Sequence, residues 1–170
     1  SKNHAEVLRS AGGTPDKLYF ENMRFVGYLN MMLSLSPTRA YFKDSFFQCT
    51  DDSIFSGGIN VYENCTFHFF GNHPSVHGAG NGGINALLGC KIIGQPQMTS
   101  TDVYLAKQSN AIGPNANGIF AIIDTEFSGR IETVEWENVV REDARHFVSN
   151  NIIGGEPLVI SPSQPQTSVT

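Results

Sequence analysis

The chain of 170 residues is 40% hydrophobic and 16% charged, a composition that supports one domain with a real core. Its formal net charge of −5 at pH 7 argues against nucleic-acid binding, because no basic patch is present to neutralise phosphates. No run of about 18 apolar residues occurs, so nothing in the sequence predicts a membrane-spanning segment.

Residues 1–16 are polar and end in a Gly-Gly-Thr-Pro turn, so we expect a lead-in segment or the remnant of an earlier repeat. After them a motif recurs six times: an apolar residue, an Asn, Asp or Gly two places later, and a second apolar residue three places after that. Its instances are Phe20-Asn22-Phe25, Phe42-Asp44-Phe47, Tyr62-Asn64-Phe67, Leu87-Gly89-Ile92, Ile122-Asp124-Phe127 and Val148-Asn150-Ile153. The central residues are 22, 20, 25, 35 and 26 positions apart, which is typical of a repeat architecture.

Bulky residues alternate around each motif, as in YFENMRF, VYENCTF and IIDTEF. Such alternation buries one side of a short strand, and the apolar runs are rich in β-branched and aromatic residues without a helical stripe. The sequence therefore predicts an all-β fold, a parallel β-helix of about six turns over residues 17–156. One column of its core should contain Phe47, Phe67, Ile92 and Phe127. The predicted loops are residues 50–60, 72–84 and 94–117, and residues 157–170 form a tail rich in Pro, Ser and Gln.

The three cysteines, Cys49, Cys65 and Cys90, are an odd number and match no zinc pattern. Cys65 and Cys90 each follow a motif centre by one residue, so a stacked disulfide and a pair of buried thiols both remain open. Asn64-Cys65-Thr66 is an N-glycosylation sequon, which is consistent with a secreted protein. The absence of an initiator Met and of a signal peptide favours a mature, processed or excerpted chain.

Six segments together carry a family resemblance across about 140 residues. They are YFENMRF (19–25), MMLSLSPTRAYFKDSFF (31–47), CTDDSIF (49–55), VYENCTF (61–67), YLAKQS (104–109) and ARHFVSNNIIGGEP (144–157). In order and rough spacing they resemble the motifs of the pectinesterases (pectin methylesterases), carbohydrate esterases that demethylate polygalacturonate. The resemblance implies a right-handed parallel β-helix of the pectin lyase-like type, located outside the cell and acting on cell-wall polysaccharide.

Ester hydrolysis in that family needs a carboxylate nucleophile, a second carboxyl group as acid and base, oxyanion donors, and an Arg that holds the nucleophile. The resemblance places Asp52 at the acid/base position and Asp51 at the position of an oxyanion-binding Gln. The nucleophile position falls on Asn72 when counted forward from the preceding strand, and on His77 when counted back from the following one. Neither residue is an Asp, so the nucleophile is missing.

Two further positions of the family site are substituted. Lys107 stands where the family has its Arg, and Lys cannot form a bidentate clamp on a carboxylate. Ser109 stands where the family has a substrate-stacking Trp, which leaves Tyr104 as the nearest aromatic residue. We therefore expect a protein that has lost methylesterase activity and serves as a polysaccharide-binding or structural module. The alternative is an active carbohydrate esterase that uses Asp52 with altered partners, His77 and Lys107.

No cofactor and no metal site are expected. His68, His73 and His77 fall within ten residues, but their spacing matches no zinc pattern. A polypeptide partner is expected at the N-terminal end of the β-helix. There Leu18, Phe20 and Phe25 would otherwise be exposed beside unpaired strand edges, which natural proteins cover.

Overall fold

The computed structural model describes residues 7–10, 16–28, 32–34, 39–50, 54–56, 58–71, 75–76, 83–105, 119–136 and 145–159. Every regular element in these residues is a β-strand. The strands are β1 (Leu8–Ser10), β2 (Leu18–Glu21), β3 (Arg24–Val26), β4 (Met32–Ser34), β5 (Arg39–Lys43), β6 (Phe46–Cys49), β7 (Ile54–Ser56), β8 (Ile59–Glu63), β9 (Thr66–Phe69), β10 (Ser75–Val76), β11 (Ile84–Leu88), β12 (Lys91–Gly94), β13 (Asp102–Leu105), β14 (Ile119–Ile123), β15 (Glu126–Gly129), β16 (Thr133–Trp136), β17 (Arg145–Ser149), β18 (Ile152–Ile153) and β19 (Glu156–Pro157).

The strands form two long and two short sheets. The first long sheet has the order β17-β14-β11-β8-β5-β2, and the second long sheet has the order β19-β18-β15-β12-β9-β6-β3. The short sheets are β1-β4-β7 and β10-β13-β16. All described pairs are parallel except β18 with β19. Parallel neighbours need a long connection, and here that connection passes through the other sheets before the chain returns. The predicted all-β architecture of parallel strands is confirmed.

A single residue in the left-handed region joins the two long sheets in every repeat. These residues are the six predicted motif centres, with φ of 55° at Asn22, 48° at Asp44, 51° at Asn64, 59° at Gly89, 52° at Asp124 and 53° at Asn150. Gly has no Cβ to clash in this conformation, and the short polar side chains of Asn and Asp tolerate it better than other residues do. The recurrence of Asn, Asp and Gly in the sequence therefore marks one sharp turn per repeat, in the register that the motif predicts.

The predicted core column is confirmed. Phe47, Phe67, Ile92 and Phe127 are direct neighbours on successive strands of the second long sheet, and each is 0% exposed. Phe42 and Tyr62 stack in the first long sheet, with ring centroids 4.8 Å apart and planes 6° apart. The rings of Phe47 and Phe67 are also 4.8 Å apart. These separations equal the spacing of neighbouring strands, so in-register pairing itself brings the rings into contact.

Small polar side chains form another inward column, one residue after each turn. The buried members are Ser45, Cys65, Cys90, Thr125 and Asn151. They bond to backbone groups: Thr125 Oγ1 donates to the Ile123 carbonyl at 3.2 Å, and Asn151 Oδ1 accepts from the Thr125 amide at 2.9 Å. Each buried polar atom in these bonds keeps a partner, which removes most of its desolvation penalty.

All three cysteines are free and buried, so the structure has the thiol form of the Cys65 and Cys90 pair and not the disulfide. The Cys90 thiol donates to the Tyr62 carbonyl at 3.3 Å, and the Cys65 thiol to the Phe42 carbonyl at 3.5 Å. A hydrogen bond with Cys65 together with burial raises the pKa of the Cys90 thiol. Cys90 is therefore an inert core group in this form.

Two buried amides lie side by side in the first long sheet. Asn60 and Asn85 are in register on β8 and β11, and Asn60 Nδ2 donates to Asn85 Oδ1 at 3.1 Å. Asn85 is 0% exposed, and its Nδ2 has no hydrogen-bond partner in the part of the chain that the structure describes. A lone donor of this kind costs about 1–3 kcal/mol.

Several features differ from the sequence prediction. Strands Ile54–Ser56 and Asp102–Leu105 lie inside predicted loops, and Leu8–Ser10 lies inside the predicted lead-in. Phe25 was expected at an exposed end, but it is only 6% exposed, because its ring packs against Phe42 at 5.8 Å and Phe47 at 4.9 Å.

Candidate functional site

Most residues predicted for a catalytic site lie outside the described residues. They are Asp51, Asp52, Asn72, His77, Lys107 and Ser109. Tyr104 is partly buried on β13, where it is in register with Ser75 on β10 and Glu135 on β16. The grouping of Tyr104 with the predicted catalytic positions therefore stays a prediction.

Asn64, the sequon residue, is exposed at its turn. Its Nδ2 donates to Asp44 Oδ1 of the preceding turn. The sequon Thr66 begins β9 and is partly buried. The glycosylation of Asn64 stays a prediction.

An aromatic pair faces outward on the first long sheet. Tyr19 on β2 and Tyr41 on β5 are in register, and each precedes a Phe that faces the core. Because side chains alternate along a strand, both tyrosines must lie on the outer surface. Their ring centroids are 5.5 Å apart with planes tilted by 39°, and Tyr19 is 55% exposed.

The two rings line an open depression of about 370 Å³. Its other side chains on the same surface include Ile59 and Val61, on the next strand of the sheet. We call Tyr19, Tyr41, Ile59 and Val61 the tyrosine face. The volume is near the lower limit for small-ligand sites, and a largely apolar lining with aromatic side chains is typical of them.

Carboxylates border the hydroxyl side of the tyrosine face. Glu21, Lys43 and Glu63 form the next outward column, in register on β2, β5 and β8. The Tyr41 hydroxyl donates to Glu63 Oε2, and this hydrogen bond raises the pKa of Tyr41 to about 12. Burial and a hydrogen bond with Glu21 raise the pKa of Tyr19. Both phenols are therefore neutral hydrogen-bonding groups at pH 7.

An ion pair between Arg39 and Asp16 borders the tyrosine face on the side opposite the tyrosine hydroxyls. Arg39 Nε donates to both Asp16 oxygens, at 2.9 Å and 3.0 Å, and the Arg39 amide donates to Oδ1 at 3.1 Å. The side-chain bond from Arg39 holds the pKa of Asp16 well below its usual range. This multidentate geometry orients both side chains. Lys17, which also lines the depression, is exposed.

The second long sheet has a different outer surface. A depression of about 320 Å³ there is lined by Asp44, Phe46, Asn64, Thr66, His68 and Lys91. The Arg24 guanidinium lies 4.1 Å from the centre of the Phe46 ring, and the His68 ring meets Phe46 at 4.7 Å. Burial, together with the charge of Arg24, lowers the pKa of His68. The Phe46 ring already contacts Arg24 and His68, so it leaves less aromatic surface for a ligand than the tyrosine face does.

Comparison of the chain with models of known families, with curated proteins and with solved structures finds no match. The described residues contain no helix that is long and apolar enough to cross a membrane. They also contain no cluster of three or more His, Cys, Asp or Glu side chains arranged to hold a metal ion. The likeness to pectinesterases therefore rests on the sequence motifs alone.

The sequence prediction covers an inward column, Phe47, Phe67, Ile92 and Phe127, and assigns no role to the outward tyrosines, so it misses the tyrosine face. The alternation of inward and outward side chains along these strands does contain the signal for an outward aromatic pair. In YFE and AYF the motif places Phe20 and Phe42 inward, which assigns the preceding Tyr19 and Tyr41 to the outside.

Proposed function

We propose that this protein is a secreted, right-handed parallel β-helix that binds a polysaccharide through the tyrosine face and has no methylesterase activity. The β-helix is supported by the sheet orders: each of the six turn residues is followed by a strand of the second long sheet and preceded by one of the first. Repeated return of a chain to the same two sheets in the same register is what coiling about one axis produces, and this supports the β-helix.

One observation carries the binding function, the outward pair of Tyr19 and Tyr41. A pyranose ring presents C–H groups on its faces and hydroxyl groups at its edge, so it suits an aromatic surface with a polar border. Neighbouring strands are about 4.8 Å apart, which is close to the length of one sugar unit in an extended chain. Two tyrosines on adjacent strands can therefore contact consecutive sugars.

The absence of esterase activity is supported by the substituted family positions. His77 or Asn72 in place of the nucleophile, and Lys107 in place of Arg, remove two groups that the reaction needs. Methanol release from methylated polygalacturonate tests this directly. Turnover that disappears in Asp52→Ala would establish the alternative, an active esterase.

Binding is tested by retention of the protein on immobilised β-glucan and on methyl-esterified galacturonan. The double variant Tyr19→Ala/Tyr41→Ala should weaken retention on the order of ten- to a hundredfold, as expected for the loss of two aromatic contacts. Tyr28→Ala is the matched control, because Tyr28 is 63% exposed and lies outside the tyrosine face. The proposal fails if wild-type protein is retained by neither polymer, or if the double variant and wild type are retained equally.

A further inference from the structure

We infer that the tyrosine face selects uncharged over acidic polysaccharides, and that Glu21 and Glu63 are the residues that determine this specificity. The inference rests on the proposed binding function and names the ligand class of the same site. It assigns a role to two carboxylates that are not part of the aromatic surface itself.

The hydroxyl side of the tyrosine face carries excess negative charge. Glu21 and Glu63 lie on either side of Lys43, and only Glu21 is paired with it, at 3.8 Å between Lys43 Nζ and Glu21 Oε1. Glu63 accepts the hydroxyl of Tyr41 instead. Asp44, the next residue after Lys43, adds to the negative potential that acts on both phenols.

The carboxylates also have the correct hydrogen-bonding character for sugar hydroxyls. An ionised carboxylate is only an acceptor and has about four lone-pair sites, so Glu63 keeps acceptor capacity after it binds Tyr41. A neutral sugar that stacks on the rings can donate its hydroxyls to Glu21 and Glu63. A sugar carboxylate in the same place would face the like charge of Glu63, beside Glu21 whose charge Lys43 partly offsets, and would lose its own hydration.

The other border of the tyrosine face, which contains Asp16, Arg39 and Lys17, does not reverse the preference for uncharged polysaccharides. Arg39 is held by four described hydrogen bonds to Asp16, three from its guanidinium and one from its backbone amide, and the two charges cancel. Lys17 remains, but it is exposed, and a hydrated surface ammonium contributes little to binding. The net charge of −5 repels polyanions at longer range.

The experiment compares two polymers of one backbone, methyl-esterified galacturonan and the same galacturonan after de-esterification. At low ionic strength the esterified polymer should be retained about tenfold more strongly, the effect of one unfavourable charge contact near a protein surface. The double variant Glu21→Gln/Glu63→Gln should narrow this ratio several-fold, since Gln keeps the size of the side chain and removes the charge. Added salt should narrow the ratio in the wild-type protein as well.

The matched control is Glu132→Gln/Glu156→Gln. It makes the same change in net charge at two exposed residues away from the tyrosine face, so it should leave the ratio nearly unchanged. Equal or stronger retention of the acidic polymer by the wild type overturns the inference while the binding function stands. The inference is also overturned if the control narrows the ratio as much as the Glu21/Glu63 variant. Retention of neither galacturonan overturns this inference, and the proposed function fails with it only if immobilised β-glucan does not retain the protein either.

Discussion

The first three repeats and the last three share their turn conformation and strand register and have different interiors. At the two apolar motif positions, the repeats centred on Asn22, Asp44 and Asn64, which we call the aromatic half, point six rings inward: Phe20, Phe25, Phe42, Phe47, Tyr62 and Phe67. The repeats centred on Gly89, Asp124 and Asn150, the aliphatic half, point inward Leu87, Ile92, Ile122, Phe127, Val148 and Ile153. The two halves have the same turn conformation and strand register. Turn conformation and register therefore do not depend on whether the inward side chains are aromatic or aliphatic. All four residues of the tyrosine face also lie on strands of the aromatic half.

The largest expected effect is at the boundary between the halves. Phe67 stacks on Phe47 and meets the edge of Tyr62 at 5.6 Å, whereas its other column neighbour is Ile92. Phe67→Ala should lower the free energy of unfolding by about 3–5 kcal/mol, because the surrounding rings cannot close the cavity. Urea denaturation measures this, with Ile92→Ala as the aliphatic comparison and Tyr28→Ala as the exposed control. A loss below about 1 kcal/mol would contradict the enclosed position of the ring.

A smaller effect is expected at the turn that uses glycine. Gly89 has φ of 59°, and a Cβ at this position would meet no atom within 4 Å, so only the backbone conformation resists substitution. Gly89→Ala should cost about 1–2 kcal/mol, whereas Gly89→Asn should cost less, since Asn already occupies three of the other turns. Thermal unfolding of the two variants measures the difference. If Asn is as unfavourable as Ala, the turns of the two halves are not equivalent.

The smallest effect concerns a single hydrogen bond of the tyrosine face. Glu63→Gln should lower the pKa of Tyr41 from about 12 toward its ordinary value of 10.0, because Gln lacks the charge that holds the phenol protonated. The folded-state pKa is the higher one, so this bond stabilises the fold below about pH 10, and the contribution is lost as pH rises through about 12. NMR titration of the Tyr41 ring measures the shift. An unchanged pKa in the variant would show that Glu63 is not the cause.

The turns and the inner columns could be predicted because each depends on local chemistry. Only Asn, Asp and Gly readily take the conformation seen at Asp44 and Gly89, and strict alternation around them assigns the core. The strands Ile54–Ser56 and Asp102–Leu105 could not be predicted, since three or four residues are too few for a period to be visible. The tyrosine face depends on two residues far apart in sequence that only strand pairing brings together. The predicted catalytic residues, Asp52 and His77 among them, lie outside the described residues.

The buried pair of Asn60 and Asn85 has a consequence for how the chain finds its fold. Because the repeats have the same turn, a repeat can pair with the wrong neighbouring repeat during folding. Columns of aliphatic or aromatic side chains would make such a misaligned pairing only slightly less stable than the native one. The same inward column has Ala40 before the pair and Phe120 after it. A slip by one repeat would therefore place an amide against a side chain that cannot bond to it, at a penalty of about 1–3 kcal/mol. The native alignment lets Asn60 donate to Asn85, so the pair disfavours kinetic traps even though Asn85 Nδ2 finds no partner among the described residues.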